Sequence, residues 1–292
     1  MSTTGSCLCG DIRWEGDPDP ESGMHHHCHC SICRKSSGAP FITFVGVEVS
    51  DFRWLAGEEV LVRYQANADS VYKRTFCPRC GSIVPIYVAE RMYMPAGCLD
   101  GDPGVRPNRH IFAGFQHNPP WFPITDGLEQ FESFGGGSPS LPLVEPPTPP
   151  DAPAGAMVGS CLCGTVVFHI TEPFLKIHNC HCRRCQKGRA AAHATNGIGH
   201  SRALTFVKGE DNLASYQVPG AEMFKQVFCG TCGSLMPEVY PEHEVCCVSL
   251  GALDTDPGRA TDDNIFVAYR APWYDITDGL VCYDEAPPGG YT

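Results

Sequence analysis

Thr75-Phe76-Cys77-Pro78-Arg79-Cys80-Gly81 has the form of a zinc-ribbon knuckle. Two thiols bracket a tight turn, and Gly81 permits the backbone conformation that aims amides at sulfur. A knuckle supplies half of a tetrahedral site. Far upstream, Cys7-x-Cys9 has the form of the other half. Joined, Cys7, Cys9, Cys77 and Cys80 make a closed four-cysteine zinc site that ties the N-terminal strand to the middle of its domain. Between the two pairs lies Cys28-His29-Cys30-Ser31-Ile32-Cys33, three soft ligands in six residues, too tight for unstrained disulfides. Three thiols leave one coordination position open for water or substrate. A histidine closing that position is the bland alternative, His29 or His26 being the candidates.

The whole pattern recurs. Cys161, Cys163, Cys229 and Cys232 repeat the clamp, and Cys180, Cys182 and Cys185 repeat the triplet, with His181 or His178 as the closing alternative. Seven cysteines per copy is an odd number, so paired disulfides cannot use them all. Up to four zinc ions per chain are expected. Other matches are collinear: Gly5-Ser6-Cys7-Leu8-Cys9-Gly10 with Gly159-Ser160-Cys161-Leu162-Cys163-Gly164, and Ile124-Thr125-Asp126-Gly127-Leu128 with Ile276-Thr277-Asp278-Gly279-Leu280. This is a duplication: a first domain over 1–134 and a second over 157–292, joined by a linker over 135–156 that holds seven prolines. Cys98, Cys246, Cys247 and Cys282 have no counterpart in the other copy and are assigned no role.

Apolar segments are short and rich in β-branched and aromatic residues. Phe41–Val49, Val60–Tyr64, Ile83–Val88 and Ile111–Phe115 read as strands, as do Thr165–Ile170, Leu204–Val207 and Ile265–Tyr269. The fold class is all-β, with short helical turns after Cys30 and Cys182. Trp121 and Trp273 read as core residues.

The chain has 292 residues, 42% hydrophobic and 18% charged, and no apolar run near the ~18 residues of a membrane span. Its net charge of −12 disfavours a nucleic-acid partner, which needs clustered Lys and Arg. The N-terminus lacks a basic stretch followed by an apolar core, and 18 cysteines without an export signal point to a reducing, cytoplasmic setting. Oligomeric state is not readable.

These motifs resemble the glutathione-dependent formaldehyde-activating enzyme family, also called the centromere protein V family. The resemblance rests on Gly-Ser-Cys-x-Cys-Gly at 5–10, Cys28-His29-Cys30-Ser31-Ile32-Cys33-Arg34-Lys35, Phe76-Cys77-Pro78-Arg79-Cys80-Gly81-Ser82, Gly97-Cys98-Leu99-Asp100, and His110-Ile111 leading to Pro120-Trp121. It implies two tandem β-tent domains, a structural zinc on each clamp and a second zinc on each triplet beside the thiol-binding site. It also implies a carbon–sulfur lyase-type reaction joining a small thiol such as glutathione to an aldehyde such as formaldehyde. On this reading His29 and His181 stand behind the ligands as proton-transfer candidates, with His110 a candidate in the first copy only. Arg34, Lys35, Arg183 and Arg184, with Lys187, are candidates for holding substrate carboxylates. The second copy has Asn264 where the first has His110. Two rival functions are a non-catalytic zinc module that binds protein, and a thiol or metal redox buffer.

Overall fold

In the computed structural model, residues 2–22, 24–66, 73–114, 121–134, 152–221 and 224–290 are described. The proline-rich part of the expected linker, 135–151, lies outside them. The first half builds β1 (Thr3–Ser6), β2 (Arg13–Gly16), β3 (His25–Cys28), α1 (Ser31–Ser37), β4 (Ile42–Glu48), β5 (Phe52–Ala56), β6 (Val62–Gln65), β7 (Lys73–Phe76), β8 (Ile86–Val88), β9 (Arg91–Pro95), β10 (Arg109–Ile111) and β11 (Glu129–Phe131). The second builds β12 (Met157–Ser160), β13 (Val167–Ile170), β14 (Lys176–Cys180), α2 (Arg183–Arg189), β15 (Ala194–His200), β16 (Leu204–Lys208), β17 (Leu213–Gln217), β18 (Lys225–Cys229), β19 (Glu238–Tyr240), β20 (Val245–Ser249), β21 (Asp263–Ile265) and β22 (Val281–Tyr283).

Each half has the same three sheets. A six-stranded sheet runs β11-β10-β3-β4-β9-β8 in one half and β22-β21-β14-β15-β20-β19 in the other. A three-stranded sheet, β1-β2-β5 or β12-β13-β16, and a two-stranded ribbon, β6-β7 or β17-β18, complete each half. In the large sheets the cysteine-bearing strand is central and has a parallel neighbour, β10 beside β3 and β21 beside β14. The all-β expectation therefore holds, with a helix after each Cys-x-Cys. Cys30 and Cys182 cap α1 and α2, their sulfurs accepting from the amides of Cys33 and Cys185.

Two expected strands ended elsewhere. The strands are Arg109–Ile111 and Asp263–Ile265, because Phe112 and Phe266 take left-handed backbone conformations, φ 55° and 58°, that stop the extended chain. Val267–Tyr269 then forms a 3-10 turn.

The halves pack through reciprocal contacts, which is the signature of a two-fold relation. Helix α1 sits against the turn Leu250–Ala252, and α2 against Ala96–Cys98. Lys35 bonds Ser160 and Asp254, and Lys187 bonds the equivalent Ser6 and Asp100. Thr125 and Thr277, equivalent residues, share a 2.7 Å hydrogen bond. Backbones come very close here: a Cβ on Gly97 would stand 2.4 Å from the Ala191 amide nitrogen, and one on Gly251 2.5 Å from the Gly38 carbonyl carbon. Apolar residues of both halves form one continuous core.

Candidate metal centres and active site

The knuckle and the N-terminal pair meet as expected. Cys7, Cys9, Cys77 and Cys80 form one group of thiols and Cys161, Cys163, Cys229 and Cys232 another, with every sulfur within 4.8 Å of the others. Cys7 lies 3.4 Å from Cys9, and Cys9 lies 3.7 Å from Cys77; the second clamp repeats both distances. A tetrahedron with Zn–S bonds of ~2.3 Å has edges of about 3.8 Å, so the donor sets fit zinc in type and spacing. Amides supply the outer contacts: Ile12 N–H points at Cys7 Sγ, and Val166 N–H at Cys161 Sγ. Hydrogen bonds among the sulfurs draw two thiols of each clamp below the ordinary value, Cys7 and Cys80 in one, Cys232 and Cys163 in the other. The remaining two of each clamp are pushed up.

The triplets Cys28, Cys30, Cys33 and Cys180, Cys182, Cys185 are likewise drawn together, and among the described residues no histidine joins either group. Cys28 and Cys30 stand 3.6 Å apart, again close to a zinc tetrahedron's edge. In the second triplet, hydrogen bonds from Cys180 and Cys185 hold the Cys182 thiol down to about 3. The same bonds push its two neighbours up.

The histidines between the ligands face the other way, because side chains alternate along a strand. His29 Nε2 meets His110 Nδ1 at 2.8 Å, and His181 Nε2 meets Asn264 Oδ1 at 2.9 Å. Both rings lie in a buried aromatic layer between the halves, with Phe41, His193 and Tyr274. His26 packs on Phe44 and Tyr93.

The basic residues divide. Arg34 donates to the Gly251 and Leu253 carbonyls, and Lys35 is buried against Asp254, so both serve the contact between halves. Desolvation pushes the Lys35 ammonium down to about 8 despite that partner. Arg183 donates to Leu99 O and to Gln186, and Lys187 bonds Asp100. Arg184 alone of the five is exposed.

Arg184 stands at the rim of a cavity of about 870 Å³, which reaches Cys180, Cys182 and Cys185. Residues without a motif line the rest, among them Arg189, Asn196, Glu238, Tyr240 and Cys247. Glu238 lies 3.7 Å from Arg189 and accepts from the Tyr240 hydroxyl at 2.8 Å; burial raises its carboxyl above the usual range. His178 also lines the cavity, its Nδ1 bonded to Asp263. The strand registers of the first half place Phe44, Ile86 and Tyr93 where the second has Asn196, Glu238 and Cys247. Arg109 replaces Asp263. At these sheet positions the first half thus carries two aromatic rings, an isoleucine and a cation where the second has an amide, two carboxyls and a thiol. Only pairing across strands far apart in sequence brings these positions together, which is why motif spacing did not mark them.

Trp121 and Trp273 are buried as expected; Trp121 also lines a second, smaller cleft between the halves. Among the described residues no helix is long and apolar enough to cross a membrane.

Comparison with known proteins finds relatives that match one half of the chain. A provisionally named glutathione-dependent formaldehyde-activating enzyme of Halomonas elongata is 30% identical over 142 residues, 47% of this chain and 88% of that protein. A solved Rhodobacter sphaeroides structural-genomics protein is 24% identical, matching 44% of this chain and 99% of that one with a TM-score of 0.30. The family model described as glutathione-dependent formaldehyde-activating enzyme matches residues 2–114 and again 156–269. With the family matched twice and over most of its length, the chain belongs to the glutathione-dependent formaldehyde-activating enzyme family.

Proposed function

We propose that this is a two-domain enzyme, 1–134 and 157–292 joined by 135–156, that adds a small anionic thiol to an aldehyde, and that the second half does the work. The observation that carries the reading is the 870 Å³ cavity opening onto Cys180, Cys182 and Cys185. Glutathione and formaldehyde are the substrates the family name supplies. A zinc ion held by the three sulfurs would offer an open position at which a thiol ionises or an aldehyde oxygen is polarised.

The chain's own residues do the rest. The exposed Arg184 at the rim holds a substrate carboxylate. His178, its ring held by Asp263, takes the thiol proton and returns it to the new alkoxide oxygen. Sulfur bonds to the aldehyde carbon and the carbonyl π pair moves to oxygen. One thiol and one formaldehyde thus give one S-hydroxymethyl adduct, with every atom retained and no change of oxidation state. Confinement beside the aldehyde contributes the larger share, up to ~7–11 kcal/mol in ideal geometry, against about 2 kcal/mol from full ionisation of a thiol of pKa ~8.5 at neutral pH.

The test is a thiol–aldehyde adduct assay. Arg184→Met should raise KM for an anionic thiol about 10-fold at nearly constant kcat, and His178→Asn should lower kcat about 100-fold. Wild-type kcat in the His178→Asn enzyme refutes the proton-transfer role, and wild-type kcat and KM in both refute the site.

A further inference from the structure

We infer that His27, His110 and Asp126 form a third kind of metal site, free of thiols and present in the first half only, for a divalent first-row transition ion. One ligand atom from each of the three lies within 4.8 Å of the others. His27 and His110 stand side by side on the parallel strands β3 and β10, rings stacked at 4.8 Å. His110 Nε2 lies 3.0 Å from both carboxylate oxygens of Asp126.

The other ring nitrogens are already held, His27 Nδ1 by Thr43 Oγ1 at 2.8 Å and His110 Nδ1 by His29 Nε2 at 2.8 Å. Such outer bonds fix the tautomer and orientation of metal-ligating imidazoles and leave each Nε2 to face the ion. Two imidazoles and a carboxylate suit zinc, iron, cobalt or nickel and leave positions for water. Those positions have an outlet. Asp126 is 21% exposed while His110 is only 3%, and both line the cleft of about 90 Å³ between the halves.

The second half argues that the fold itself does not need these histidines. There the same three places hold Asn179, Asn264 and Asp278. Asn264 donates to Asp278 at 3.0 Å and accepts from His181, while Thr195, the counterpart of Thr43, donates to Asn179. Amides close the same network without a metal ligand. The halves differ here by two imidazoles against two amides around an unchanged carboxylate, and ligation accounts for both differences together.

Protein holding zinc on its cysteines only, stripped of any further zinc by a weak chelator and then titrated with Co(II), tests this without any assay of turnover. Wild type should take up about one cobalt per chain with weak visible bands and no thiolate charge-transfer absorption, its thiol-bound zinc unchanged. His27→Asn/His110→Asn, which copies the second half, should lose that uptake and keep its zinc. Thr43→Val should weaken it about 10-fold. If the double variant loses zinc or fold, Asp126→Asn at the cleft's rim gives the same reading, with at least about 10-fold weaker uptake. Cobalt uptake equal to wild type in these variants, charge-transfer bands showing cobalt on sulfur, or no uptake by wild type would overturn the site.

Discussion

Lys35 of the first half is buried against Asp254 of the second, and neither side chain is more than 6% exposed. The equivalent pair, Lys187 with Asp100, is 18% and 45% exposed. One duplicated ion pair thus exists in a dry and a wet version within a single chain. Removing one member of the dry pair strands the other. Lys35→Met should lower stability by about 3–5 kcal/mol, against about 1 kcal/mol or less for Lys187→Met, read from urea midpoints.

The dry pair also carries a pH signature. Desolvation holds Lys35 near 8 in the folded chain, below its unfolded value of about 10.4. Between those values the unfolded chain binds more protons, so stability from this group rises with pH across that window. The wild-type minus Lys35→Met difference should grow by up to about 3 kcal/mol from pH 8 to 10.5. A difference that falls with pH would show that Asp254 outweighs burial.

Glycine at 97 and 251 is a matter of space between backbones. A methyl at either place meets main-chain atoms of the other half at 2.4–2.7 Å, and main chain cannot rotate aside. Gly251→Ala should cost about 2 kcal/mol or more, whereas Gly101→Ala, which meets nothing within 4 Å, should cost little. Equal urea midpoints for the two variants would contradict this packing.

The cavity wall can be exchanged between halves. Asn196→Phe, Glu238→Ile and Cys247→Tyr together give the second half the first half's residues. Adduct formation should fall at least about 10-fold with zinc content unchanged, since only the wall is altered. Full activity in that variant would place the reaction elsewhere.

Metal content should separate the two cysteine classes. Cys80→Ser opens a clamp joining β1 to the β7 knuckle, so it should lose one zinc and much of the fold's stability. Cys182→Ser, in a triplet within one short segment, should lose one zinc and leave the melting temperature nearly unchanged. The check is zinc per chain together with a thermal melt.

The clamps, the triplets and the duplication were legible because thiol spacing is a local signal and both copies carry it. What remained hidden depended on partners distant along the chain. Arg34 and Lys35 beside a ligand look like anion clamps until Asp254 and the Gly251 carbonyl arrive from the other half. His29 looks like a neighbour of the metal because it is one in sequence; strand alternation puts it in the layer between halves. The cavity is less legible still, since Arg189, Glu238 and Cys247 come from three separate elements.

The reciprocal seam between the halves has a consequence for how the protein behaves when scarce. In a pair of separate chains such a contact is lost on dilution, and the sites that depend on its alignment go with it. Here both partners are one molecule, so their effective concentration is set by the connecting segment and not by the sample. Specific activity should therefore be independent of protein concentration down to nanomolar. Such a tether also frees one member of the pair to exchange its cavity wall for aromatic packing while still supplying its side of the seam.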